Sequence, residues 1–124
     1  MAEALDRLAG IRERFARDYR VMLEGVLGTD RPTAVCTIYD GRFPDLWRRR
    51  LAVTALTILN DTITREAFAR GLPLVDLRLI CDRDQDYATP IEPSQRGGEK
   101  IAAAIAALVA GHDFAQRRSE VFVR

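Results

Sequence analysis

Two short apolar runs rich in β-branched residues set the strongest limit on how this chain can fold. They are TAVCTIYD, from Thr33 to Asp40, and LPLVDLRLI, from Leu72 to Ile80. Turn residues bound each run, so both are typical of strands buried on both faces of a parallel sheet. Joining two parallel strands requires a long crossover, usually a helix. The sequence therefore predicts an α/β fold in which a helix separates these strands.

Three helical patterns surround the two strands. Residues 3–27 and the segment from Asp45 to about Arg70 carry apolar residues three or four apart, and a third helix is predicted from about Ser94 to Val109. The segment EVFV near the C-terminus is predicted as a short edge strand. This order predicts an α/β sheet with helices on both faces. Because sheets usually hold about five or six strands, the predicted sheet is incomplete.

The length and the charge balance limit the class of protein. A chain of 124 residues predicts one domain, residues 1–124, in which residues 111–124 form a C-terminal tail. The formal net charge is +1, so no global field favours a nucleic-acid or membrane partner. Cys36 and Cys81 lie in apolar runs and are predicted to be buried thiols. The acidic N-terminal segment does not resemble a signal peptide, so we expect a cytoplasmic protein.

The loop and helix start in DYATPIEPSQRGGEKIA, Asp86 to Ala102, differ from the rest of the chain. Two prolines stiffen the loop, and Ser94 is placed to cap the following helix. Gly97 and Gly98 are costly in a first helical turn, so they serve either close packing, which is favoured, or an anion. Glu92 lies between an isoleucine and a proline. It is a candidate general acid or base, or else it pairs with an arginine or caps backbone amides.

Further polar residues follow the predicted strands. Tyr39 and Asp40 end the first strand, and Asp76 and Arg78 lie within or near the end of the second. Ligands of open α/β sheets collect beyond the carboxyl ends of the strands. We therefore interpret Tyr39, Asp40 and Arg78 as a candidate substrate-binding rim. An ion pair between Asp76 and Arg78 is an equally good account of those two residues.

Three segments of the chain resemble a known family. The runs TAVCTIYD, LNDTITREAFARGLPLVDLRLI and DYATPIEPSQRGGEKIAAAI look like the C-terminal half of SGNH-type (GDSL-like) hydrolases. The resemblance extends from about Phe15 to Val109. It implies a three-layer α/β/α, flavodoxin-like parallel sheet that is incomplete at its N-terminal side. It also implies hydrolysis of acyl or acetyl esters with no metal or organic cofactor.

The resemblance implies roles for two carboxylates. Glu92 stands where the family's last block has the histidine that precedes proline, and Asp86 takes the place of the orienting acid in a shifted position. The family's nucleophilic serine belongs to a Gly-Asp-Ser block, which this sequence does not contain. The implied function is a hydrolase-domain fragment that is inactive alone. A missing N-terminal half would have to complete the site for a small ester substrate.

A second hypothesis belongs to another class of protein. An incomplete sheet exposes a strand edge and apolar faces, both of which favour association. The chain would then be a non-catalytic α/β interaction module that forms a homodimer or docks on a complementing chain.

Overall fold

The computed structural model describes all 124 residues and contains four α-helices and three short strands. In chain order they are α1 (Ala2–Leu27), β1 (Val35–Cys36), α2 (Leu46–Ala69), β2 (Leu74–Val75), α3 (Leu77–Ile80), α4 (Gln95–Gly111) and β3 (Val121–Phe122). One 3₁₀ turn, Asp84–Asp86, precedes α4. No helix combines the length and the apolar content that crossing a bilayer requires.

The three strands form one parallel sheet in the order β1-β2-β3. Val35 pairs with Leu74, and Leu74 pairs in turn with Val121, so β2 is the central strand. The mixed α/β class is confirmed, and so is the strand predicted from EVFV. Residues 111–124, which the sequence predicts as a tail, supply β3 and are therefore part of the sheet.

Two hydrophobic clusters lie on opposite faces of this sheet, because neighbouring residues of a strand point in opposite directions. Leu74 belongs to a cluster with side chains from α1, β1 and α2: Leu23, Val35, Ile63 and Ala67. Val75 belongs to a cluster with side chains from α3, the following loop and α4: Leu77, Ile80, Cys81, Ala104 and Leu108. The strands are short, but each residue of β2 anchors one cluster.

The two predicted strands, Thr33–Asp40 and Leu72–Ile80, are longer than the observed ones, so their predicted extent was wrong. The run from Leu72 to Ile80 pairs only at Leu74–Val75, because the Asp76 carboxylate accepts from Arg78 N at 3.2 Å and starts α3. A side-chain oxygen at this position satisfies a free helical N–H and ends the strand. The prediction for Cys36 was also wrong, since its side chain is exposed, whereas Cys81 is buried as expected.

Candidate functional site at the carboxyl ends of the strands

The fold brings together the two strand-end regions that the sequence singles out. The Tyr39 hydroxyl donates to the Ile91 carbonyl at 2.7 Å, and Arg42 N donates to the Pro90 carbonyl at 2.8 Å. The loop that contains Asp86–Ser94 is therefore bound to the chain that leaves β1. This is the edge of the sheet where parallel α/β proteins place their ligands.

Tyr87 lies at the centre of this junction. Its hydroxyl donates to the Cys81 carbonyl at 3.0 Å and accepts from Gly41 N at 3.3 Å. Burial raises the pKa of Tyr87 to about 12, so the hydroxyl stays protonated and keeps its donor role. Gly41 has φ of 76°, and a Cβ at this position would lie 2.8 Å from the Pro90 carbonyl oxygen. Only glycine fits this approach without a shift.

Asp86 is fully buried and holds the loop to α4. Its Oδ2 accepts from Lys100 Nζ at 2.7 Å and from Arg83 N at 3.0 Å, while Arg96 Nε lies 3.7 Å from Oδ1. Burial alone would raise the pKa of Asp86, but the hydrogen bonds from Lys100 and Arg83 outweigh it and the pKa is lowered. Asp86 is an ionised carboxylate whose partners belong to the protein itself. This geometry suits a positioning role.

The start of α4 shows why the loop needs its serine and one of its glycines. The Ser94 hydroxyl accepts from Gly97 N at 3.2 Å and donates to the Gln85 carbonyl at 2.5 Å, so the predicted cap is confirmed. A Cβ on Gly97 would lie 2.1 Å from the Asp86 carbonyl oxygen. A Cβ on Gly98 would meet nothing within 4 Å. Close packing therefore explains Gly97 alone.

Glu92 differs from the other acids of the loop. Its carbonyl accepts from Ala88 N at 2.9 Å and from Thr89 N at 3.4 Å, which fixes the backbone of the turn. Its side chain is exposed and takes part in no hydrogen bond or ion pair within the chain. Neither arginine pairing nor amide capping, the two structural alternatives for this carboxylate, is found. The loop thus presents a free carboxylate to solvent.

A second polar network lies behind the junction, at the end of β2. Asp76 pairs with Arg78 through two hydrogen bonds of 2.9 and 2.8 Å, and its Oδ1 accepts from the Thr37 hydroxyl at 3.0 Å. The hydrogen bonds from Arg78 lower the pKa of Asp76. Asp40 makes no such bond, and burial raises its pKa despite the nearby Arg78. Arg78 is thus engaged by Asp76, while Asp40 is the freer rim residue.

An apolar cavity of about 370 Å³ opens beside this rim. It is bounded on one side by the chain after β1, on another by α2, and at the loop by Ile91; the apolar walls include Ile38, Phe43, Ala52 and Leu56. Tyr39 and Asp40 also line it. This volume lies at the lower end of the range of small-molecule sites. Glu92, whose carboxylate is free, directly follows Ile91 in the sequence.

Ser94 and the chain's single histidine are not arranged for catalysis here. The Ser94 hydroxyl is occupied as the helix cap, and no histidine contacts it. His112 is buried and pairs with Glu120 at 2.8 Å. Together with Pro73, His112 lines a separate pocket at the amino ends of the strands, away from the loop. No group of three or more His, Cys, Asp or Glu side chains is placed to hold a metal ion.

Three contributors to the site escaped the sequence interpretation: Lys100, Arg42 and Tyr87. Lys100 carried a signal, because it is the only lysine in the chain and lies one helical turn after Gly97. Arg42 and Tyr87 carried none, since their roles depend on the meeting of two loops distant in sequence.

Comparison with known proteins adds no relative. No family model matches the chain, and neither a curated protein nor a solved structure is similar enough to count as a match. The sequence resemblance and the geometry of the site are therefore the basis for the chain's proposed function.

Proposed function

We propose that this chain is the C-terminal part of an SGNH-type ester hydrolase domain with a three-layer, flavodoxin-like sheet. In this proposal the chain supplies the loop wall of the site, and another segment supplies the nucleophile. The observation that carries it is the loop at Glu92. Hydrogen bonds from Tyr39 and Arg42 fix this loop at the carboxyl ends of the strands, and it leaves the Glu92 carboxylate without a partner.

The surroundings of Glu92 fit the role of a general base or an orienting acid. A catalytic carboxylate must be held in place and must also be accessible to substrate. The buried Asp86–Lys100 pair and the Ser94 cap provide the first condition, and the exposure of Glu92 provides the second. We assign Asp86 to positioning of the loop.

The apolar cavity fits the acyl part of an ester. Its walls are mostly aliphatic and aromatic, and its polar lining is limited to the rim at Tyr39 and Asp40. Small-molecule sites combine an apolar lining with few polar groups in this way. Arg78 is held by Asp76, so we assign it to the support of this rim and Asp40 to direct contact with substrate.

The proposal predicts that the isolated chain does not hydrolyse esters, because it holds no activated nucleophile. The test begins with the genomic DNA upstream of the coding region. We expect it to encode a Gly-Asp-Ser segment, in frame or across a frameshift. The joined chain should hydrolyse a short-chain nitrophenyl ester and lose this activity with a serine-directed inhibitor.

Two variants of the joined chain then test the role of the loop. Glu92→Gln should lower kcat by about 100-fold or more, as removal of a general base does. Glu99→Gln, at an exposed acid on the first turns of α4, should leave kcat unchanged. Unrelated sequence upstream, or inhibitor-sensitive hydrolysis by the isolated chain, would overturn the proposal.

The non-catalytic interaction module stays a second candidate because one observation favours it. The outer edge of β1 has no neighbouring strand in the sheet. An unpaired edge is a template for another chain.

A further inference from the structure

The outward surface of α4 lacks the charges that a solvent-facing helix usually carries. From Ile101 to Gly111 the helix contains no charged residue, although most of these residues are exposed. Ile105 is 43% exposed and Val109 is 65% exposed. A surface helix normally places polar and charged residues on its outward side. This side of α4 therefore resembles a surface that another element covers.

The neighbouring edge of β1 is open. Val35 N donates to the Pro73 carbonyl, next to β2, and Thr37 N donates to the Val75 carbonyl in β2. Because backbone groups alternate in direction along a parallel strand, Ala34 and Cys36 direct theirs away from β2. Their side chains are exposed and line an apolar groove of about 460 Å³ together with Ile105. We call Ala34, Cys36, Ile105 and Val109 the edge patch.

A side chain marks where this open edge ends. Ile38 N donates to Asn60 Oδ1 at 2.8 Å, and Asn60 Nδ2 donates to the Ile38 carbonyl at 2.9 Å. The buried amide thus takes the hydrogen bonds that a neighbouring strand would make at Ile38. Only Ala34, which directly precedes β1, and Cys36, which ends it, are left to pair.

The total surface shows that the chain exposes more than a compact monomer. The accessible area is 8247 Å², whereas a compact monomer of this mass, 13.9 kDa, exposes about 6,700 Å². The excess is about 1,600 Å² by this scaling. A standard interface buries about 800 Å² on each partner. The excess, summed over the whole chain, therefore exceeds the area that one partner contributes to an interface of standard size.

We propose that the edge patch is the interface of a homodimer, in which two copies of β1 pair antiparallel about a two-fold axis. Ala34 of each copy would face Cys36 of the other, and the four backbone groups on each edge would be satisfied. The two sheets would join into one of six strands, close to the usual size. The two α4 helices would cover each other's Ile105 and Val109 across the axis.

Charge favours a second copy as the occupant of this surface. A two-fold interface brings a patch against itself, so any charge in it would meet the same charge. The edge patch contains none, and the chain's formal net charge is only +1, so two copies repel each other weakly. The loop at Glu92 lies at the other end of the strands and stays free in the dimer. The dimer therefore does not depend on the ester hydrolase proposal.

The test measures the mass of the purified chain by sedimentation and light scattering. We expect a dimer at about 100 µM, in the affinity range of ordinary interfaces. Val109→Glu should weaken dimerisation by about 100-fold or more, because two carboxylates would meet in an apolar contact. Val21→Glu, at a valine of α1 that is 71% exposed, should leave dimerisation unchanged.

Two further measurements keep the result unambiguous. Circular dichroism should show that Val109→Glu is folded, and a short bis-maleimide should link the two copies through Cys36. Cys36→Ser should abolish the link and keep the dimer mass, since Cys81 is buried. A monomer at about 100 µM would overturn the dimer, and so would a dimer that folded Val109→Glu leaves intact. Either outcome leaves the esterase test unaffected.

Discussion

The loop at Asp86–Ser94 and the edge patch flank the same small sheet, but they differ in how far their polar and apolar groups find partners within the chain. Backbone and side-chain hydrogen bonds fix the loop from two sides, and a buried ion pair ties it to α4. The edge patch has apolar side chains and unpaired backbone groups facing solvent. Contacts within the chain hold the loop in place without a partner, whereas the edge patch is covered only when a partner binds. The loop is thus a positioned part of the candidate site, and the edge patch is a surface available for association.

The largest effect is expected at the buried ion pair. Lys100→Met should lower the free energy of unfolding by about 3 kcal/mol at neutral pH, because it leaves the buried Asp86 carboxylate without its closest cation. Lys100 is itself one-third exposed, so we place the effect at the low end of the range for buried pairs. Urea denaturation measures the change. An unchanged midpoint would mean that the loop does not need this pair.

The pH dependence of stability gives a second test of this ion pair. The pKa of Asp86 is lowered in the folded chain, so its stabilisation is complete above pH 4, about the unfolded pKa, and is lost as the pH falls through the folded pKa. The difference between the wild type and Lys100→Met should therefore shrink below about pH 4. Urea midpoints at a series of pH values measure it. A constant difference across this window would contradict the assignment.

The next effect is expected at the contact between α4 and the loop. Gly97→Ala should destabilise the fold by about 2 kcal/mol, because the new methyl group overlaps the Asp86 carbonyl oxygen and forces a backbone shift. Gly98→Ala is the matched control. It should stabilise the fold by up to about 1 kcal/mol, because its methyl group meets no atom and alanine favours the helix. Thermal denaturation of both variants should show shifts of opposite sign.

The Asn60 side-chain amide binds the edge of the chain at Ile38, between the two regions. Asn60→Leu should cost about 1–2 kcal/mol, because Ile38 loses both of its hydrogen bonds. Asp61→Asn, on the exposed side of α2, should change stability by less than about 0.5 kcal/mol. Urea denaturation measures both variants, and a free energy of unfolding that Asn60→Leu leaves unchanged would contradict this account of the edge.

The smallest effect is expected at the hydroxyl that joins the two loops. Tyr39→Phe removes the hydrogen bond to Ile91 and should cost about 1 kcal/mol or less. Amide exchange at Arg42, whose N–H is bonded to the same loop, should become faster. Tyr19→Phe should leave exchange at Arg42 unchanged, because the Tyr19 hydroxyl makes no hydrogen bond. Equal exchange in both variants would mean that the Tyr39 bond does not hold the loop.

Local signals made the three long helices, the Ser94 cap and the EVFV strand predictable. The spacing of apolar residues and one hydroxyl before a helix are readable without tertiary structure. The length of the strand at Leu72–Ile80 was not, because the Asp76 carboxylate begins a helix inside an apolar run. The exposure of Cys36 was not either, since no local pattern shows that a face of β1 is uncovered.

Some residues of the candidate site were predictable, but its contacts were not. Tyr39 was identified from its position at the end of a strand and Glu92 from its place between an isoleucine and a proline, and the structure places their two segments together. Their separate functions are still predictions. The pairing of Asp86 with Lys100 could not be read from the sequence, because it depends on how the loop folds back on the first turns of α4.

The Asn60 amide also bears on aggregation. Amyloid segments are typically six or seven residues long, and they propagate by adding identical strands to an open edge. Because Asn60 occupies the edge at Ile38, the template that β1 exposes is limited to the short stretch around Ala34 and Cys36. Such a template can pair with one neighbouring strand but is shorter than the segments that form amyloid. The chain can thus leave an apolar strand uncovered without the hazard that such a strand usually brings.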